Sequence, residues 1–180
     1  MDLAAQQRAL LELIENGTSD VSVAERDEYI DEVADSHALR VLRDIVASWE
    51  AYDVRRSCPL TAIALSRSGR LEEAVRTVPF GMSSPFLESR AMVFLDDVGR
   101  DGDPLIAAVA RFERAVMCVR GGDTRRHAIE WPRDPEVIIN GLLEGRWLSE
   151  DAPPGRYLTV IAGDVSEPVI EISGPTGDEP

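Results

Sequence analysis

A chain of 180 residues with 33 acidic side chains against 19 basic ones, the latter all arginine, carries a net charge of −14. Phosphate backbones are held by Lys and Arg contacts, so this balance excludes nucleic acid as a partner. Two cysteines, Cys58 and Cys118, are too few for a disulfide framework, and no stretch approaches the roughly 20 apolar residues that span a bilayer, so a cytoplasmic protein with no membrane partner is expected.

The helices can be read in order. Asp2, Arg8, Glu12 and Glu15 interrupt the opening apolar positions, which is not the pattern of a secretory signal. A first helix over 3–15 places Leu10, Leu11 and Ile14 on one stripe and stops at Asn16-Gly17. Ser22 and Glu25 form a capping box, each satisfying the other's free amide. It opens a second helix toward Ala34, with Tyr29, Ile30 and Val33 as its apolar face. A long helix over 37–52 repeats Leu39, Leu42, Val46 and Trp49 at helical spacing. Pro59 suits a first helical position and Gly69 a stop, so they bracket a helix over 60–68, followed by a short one over 71–78. A loop over 79–85 leads into a helix over 86–98. Asp103-Pro104 then caps the strongest helix, whose stripe runs Leu105, Ala108, Val109, Phe112, Ala115, Val116 and Val119 before Gly121-Gly122 ends it.

Beyond residue 121 the texture changes to β-helix-β-β, over 125–131, 134–145, 156–162 and 168–173. His127, Ile129 and Trp131 share one side of the first strand. Tyr157, Thr159 and Ile161 alternate with Leu158 and Val160, Gly163-Asp164 supplies a turn, and Val169, Ile170 and Ile172 form the return strand. The fold expected is α+β: a helical bundle over 1–121, a small sheet subdomain over 122–173 and a disordered tail over 174–180. At this length about 70% of the surface can be buried.

Catalytic residue types are sparse. His37 and His127 lie in different parts of the chain without metal-ligand spacing and read as ordinary histidines. Cys58 precedes Pro59 at a helix N-terminus and follows Arg55 and Arg56, all features that depress a thiol pKa, yet no histidine base is near in sequence. It reads first as a small buried residue and second as a nucleophile, while Cys118 beside an apolar stripe reads as structural. Asp96, Asp97, Asp101 and Asp103 lack the spacing of a Ca²⁺ loop and read as a solvated acidic loop. No catalytic residue, metal site or cofactor is expected.

Three surfaces remain. Trp49 with Arg55 and Arg56 reads either as a core tryptophan beside solvated arginines or as an exposed aromatic–arginine interface. Trp131 and Trp147 bracket the C-terminal helix and read as cover for one face of the sheet. A short sheet also leaves N–H and C=O groups unpaired on its outer strands, where an extended peptide can add.

Read together, Trp49, then Cys58-Pro59-Leu60-Thr61 with Leu65, then Phe112-Glu113-Arg114-Ala115-Val116, then Ile129-Glu130-Trp131-Pro132 with the helix over 137–145 and the strand over 156–161, resemble a known family. The pattern is similar to the partner proteins of multinuclear non-haem iron-dependent oxidative enzymes, the small subunits of methanobactin and 3-thiaglutamate type peptide modification. It also resembles the DNA-binding-domain family encoded beside such enzymes, a label at odds with this chain's acidity. The resemblance spans residues 35–172 and rests on aromatic and apolar positions rather than a catalytic signature. It implies an accessory subunit that is not an enzyme and has no cofactor of its own, the iron belonging to its partner. It implies that the leader of a ribosomally made precursor peptide adds as a strand to the C-terminal sheet, at Tyr157, Thr159, Ile161, Val169 and Glu171. The helical body would then form a heterodimer face of more than about 1,000 Å², with Trp49, Arg55, Arg56 and Trp131 in the interface. The alternative is a winged-helix-like transcriptional or signalling regulator, which the β-α-β-β order permits although 135–144 offers Glu136 and Glu144 and no basic residue. An enzyme using Cys58 is a third reading.

Overall fold

The computed structural model describes residues 3–16, 28–77, 87–163 and 168–174. The capping box at Ser22 and Glu25, the loop over 79–85, the turn residue Asp164 and all but Gly174 of the tail lie outside them. The helices are α1 (Leu3–Asn16), α2 (Glu28–Ala34), α3 (His37–Ser57), α4 (Pro59–Arg67), α5 (Leu71–Thr77), α6 (Leu87–Val98) and α7 (Pro104–Arg120). β1 (His127–Arg133), α8 (Pro135–Leu143), β2 (Pro154–Gly163) and β3 (Pro168–Ser173) follow, so the fold is α+β. Among the described residues no helix is long and apolar enough to cross a membrane.

Side-chain caps set the helix starts. Ser36 Oγ accepts from the Leu39 N–H at 3.1 Å to open α3. Asp103 accepts from the Leu105 and Ile106 N–H groups ahead of α7, and Asp134 from the Glu136 N–H ahead of α8, each followed by a proline at the first helical position. Helix α3 runs to Ser57, well past residue 52, and stops only where Pro59 removes the next donor and bends Cys58 out of helical geometry. Gly145, at φ 72°, ends α8 in the left-handed region, and the Arg146 N–H returns to the Gly141 carbonyl at 2.7 Å. Strand β1 begins at His127 rather than 125 because Asp123 holds both the backbone N–H and the guanidinium of Arg125, at 2.9 and 2.7 Å.

The three strands are antiparallel in the order β1-β2-β3. Ile129 lies opposite Thr159 and Trp131 opposite Tyr157, so these side chains share the face turned to α7. Thr159 in turn faces Ile172, and Ile161 faces Ile170, on β3.

Helix α7 joins two cores. Ile106 and Ala110 pack with Val54, Leu65, Val75 and Phe94 of the helical part. Val109 and Phe112 pack with Ile129, Trp131, Ile138 and Tyr157. The sheet therefore has no core of its own; residue 121 marks a change of element, not a boundary between cores. A small third cluster of Ala9, Leu13, Ile30 and Leu39 fastens α1 and α2 to the start of α3.

Among the described residues one acidic side chain, Glu113, is buried. Helix α4 receives no side-chain cap from Cys58, and Glu113 of α7 supplies it instead, accepting from the Leu60 and Thr61 N–H groups at 2.9 Å each. Burial raises the Glu113 carboxyl above its ordinary value of 4.5, and the two amide bonds oppose that rise. Glu113→Ala is expected to cost about 2–4 kcal/mol, since it orphans the buried Thr61 donor and the half-buried Leu60 donor. Glu113→Gln keeps one acceptor and costs less. A raised folded pKa gives stability that is fully present below the unfolded value of 4.5 and is lost as pH rises through the folded value. The advantage of wild type over Glu113→Gln should therefore shrink with rising pH in urea melts; an advantage that grows would contradict it.

Candidate docking surfaces

The candidate reactive groups are taken up by the fold. Cys58 is buried, its thiol lies 3.9 Å from the Ala91 carbonyl, and burial followed by the neighbouring Glu113 carboxylate pushes its pKa well up. That corrects the expected depression. Arg55 and Arg56 point to solvent, and the N-terminal amides of α4 that would steady a thiolate are occupied by Glu113. The four aspartates expected in one solvated loop are divided: Asp96 and Asp97 lie in α6, with Asp96 paired to Arg114, while Asp101 pairs with Arg70 through two bonds of 3.0 and 2.6 Å and Asp103 caps α7. His127 Nε2 lies 3.3 Å from the Asp123 carboxylate, which the Arg125 guanidinium holds well below the usual range.

Helix α3 is apolar on both sides. Its inner face uses small residues, Ala51 and Val54 with Ala47 beside them, which let α5 and α6 approach closely. On the outer face Val41, Ile45, Trp49 and Tyr52 follow one another at helical spacing, with Leu42 alongside. These five are between 41% and 65% exposed, the upper value being Trp49. The Trp49 and Tyr52 rings meet edge to face at 6.0 Å. Toward its N-terminal end this face opens into a groove of about 490 Å³ between Leu10 and Ile14 of α1, Tyr29 and Val33 of α2 and Leu42 of α3. Contiguous exposed apolar surface of this kind marks interaction sites.

Charge is distributed unevenly around it. Arg70, Arg76, Arg90, Arg114, Arg125, Arg126 and Arg146 each face a carboxylate. Arg40, Arg43, Arg55 and Arg56, all on α3 and all exposed, form no ion pair among the described residues. Arg55 and Arg56 stand one turn beyond Tyr52, and Arg55 lines a hollow of about 430 Å³ with Pro59, Ile63 and Arg67.

The second surface is the edge of the sheet. Strands β1 and β3 flank β2 as the outer strands, and on β3 Val169, Ile170 and Ile172 are 42–48% exposed. Ile170 and Ile172 lie on the helix-facing side and Val169 and Glu171 on the other, where Glu171 meets Arg126 at 3.3 Å.

The residues expected at the peptide are thus divided. Val169 and Glu171 are on an outer strand, whereas Tyr157, Thr159 and Ile161 belong to the central strand with buried side chains, Thr159 and Ile161 being paired on both sides. The expected interface divides too. Trp49, Arg55 and Arg56 are together on the exposed end of α3, but Trp131 is 2% exposed, edge to face with Phe112 at 5.9 Å. Sequence reasoning missed Val41, Ile45 and Tyr52, although their spacing was visible, because the stripe Leu39, Leu42, Val46 and Trp49 mixes the buried Leu39 with the exposed Leu42 and Trp49. No family model matches the chain, and no curated protein matches it.

The two tryptophans are separable by experiment. Trp131→Ala should lower stability by about 3–5 kcal/mol, while Trp49→Ala should leave the monomer fold within about 0.5 kcal/mol, both read from urea melts of dilute protein. In the native protein near neutral pH, iodoacetamide should label Cys118 before Cys58, with Cys58 reacting only on unfolding; peptide mass spectrometry showing the reverse order would revive a reactive Cys58.

Proposed function

We propose that this chain is a non-catalytic partner protein with two docking surfaces, the outer face of α3 for an enzyme and the free edge of β3 for an extended peptide. The edge carries the reading. An outer strand with unpaired backbone groups can take a further strand, which supplies affinity through main-chain pairing. Ile170 and Ile172 on one side, and Val169 and Glu171 on the other, offer alternating contacts to the added side chains. By the family resemblance, the enzyme is a multinuclear non-haem iron oxidative enzyme and the peptide is the leader of a ribosomally made precursor. The iron then belongs to the partner, and this chain needs no cofactor. We assign the pair to the cytoplasm, where such precursors are made and where Cys58 and Cys118 stay reduced. The regulator reading has less in its favour: α8, in the place of a recognition helix, exposes Glu136 and Asn140 and ends at the exposed Glu144.

Co-expression with an iron enzyme and a short precursor from neighbouring genes should give a soluble pair. Adding the leader should slow amide exchange over 168–173 and leave 127–133 unchanged. A well-behaved monomer that ignores the enzyme, or protection confined to β1, would sink the reading.

A further inference from the structure

The outer face of α3 is polar in a directional sense. At its N-terminal end Ala38 and Leu42 share a groove with Glu32, and at its C-terminal end stand Arg55 and Arg56. None of these three charges forms an ion pair among the described residues. Between them the face is apolar and aromatic. A surface with acid at one end, arginine at the other and an apolar middle is its own complement when turned about a two-fold axis across the helix.

We propose that in the free chain this face is covered by a second copy, the two α3 helices lying antiparallel. The helix runs from His37 to Ser57, about 31 Å at the usual rise. Crossing near its midpoint sets Ile45 against the second copy's Trp49 and Leu42 against the second copy's Tyr52. Ala38, with Glu32 beside it, then meets the second copy's Arg56. Two-fold symmetry makes every contact twice. The antiparallel arrangement also brings the positive end of each helix dipole to the negative end of the other. What selects a second copy over another occupant is the charge layout: the complement this face requires is the layout the face already has. The inference goes beyond the docking reading and does not rest on it; an enzyme docking on α3 would displace the second copy.

Sedimentation equilibrium of the full chain should show a reversible dimer. Trp49→Arg and Ile45→Glu, both on the exposed helix surface, should give monomers with unchanged helical circular dichroism. Glu32→Arg alone, and Arg55→Glu with Arg56→Glu alone, should each weaken the dimer by about tenfold, because exposed pairs are individually weak and symmetry doubles them. Mixing these two charge variants should restore wild-type affinity, since each then meets its opposite at both ends. A monomeric wild type overturns the proposal. So does a dimer that survives Trp49→Arg, one abolished instead by Ile172→Lys at the β3 edge, single swaps with no effect, or a mixture that fails to recover.

Discussion

From Leu105 to Ala110 every side chain of α7 is out of water, and a helix in that position needs apolar cover on all sides. One side comes from α3, α4, α5 and α6, the other from β1, α8 and β2. The small sheet is consequently not an appendage; without it Val109, Phe112 and Ala115 would face solvent. The same helix carries the buried Glu113, which holds the first turn of α4 at a fixed height against α7 through two amides. A carboxylate is a strong acceptor for helix N-terminal donors, and a second helix can supply it as well as a local cap residue can.

This arrangement governs what is left outside. Once α7 has taken the cover of the bulky helix faces, α3 contributes only Ala51 and Val54 from its C-terminal half. Its larger residues, Ile45, Trp49 and Tyr52, are turned outward. On the sheet side α7 covers β1 and β2, and β3 lies at the margin with its apolar residues half-exposed. Both candidate docking surfaces are thus consequences of where the central helix stops covering. Arginine pairing differs along the chain: Arg70 is held by Asp101, whereas Arg40, Arg43, Arg55 and Arg56 of α3 form no ion pair among the described residues.

Much of the local structure was legible. Asp103-Pro104, Asp134-Pro135 and Pro59 announce helix starts because they act within one turn, and the alternation over 156–162 announces a strand for the same local reason. The less legible positions share a cause. Helix α3 has apolar residues on two sides, so its period alone could not say which stripe is core. Thr159 and Tyr157 read equally well as edge or centre, because strand order depends on partners far along the chain. Cys58 looked activated from its neighbours Arg55, Arg56 and Pro59, yet its ionisation is set first by burial and then by Glu113, 55 positions away.

The sequence by itself determined the element types and most of their ends, the α+β class, and the apolar stripe of α7, since capping, proline geometry and side-chain periodicity act over a few residues. Tertiary structure alone decided that α7 is shared by two cores, that Trp131 is interior and Trp49 exterior, and that β2 is central while β1 and β3 are the outer strands. Those outcomes depend on which surfaces meet across tens of residues, and burial removes from water whichever face finds cover, not whichever face is most apolar.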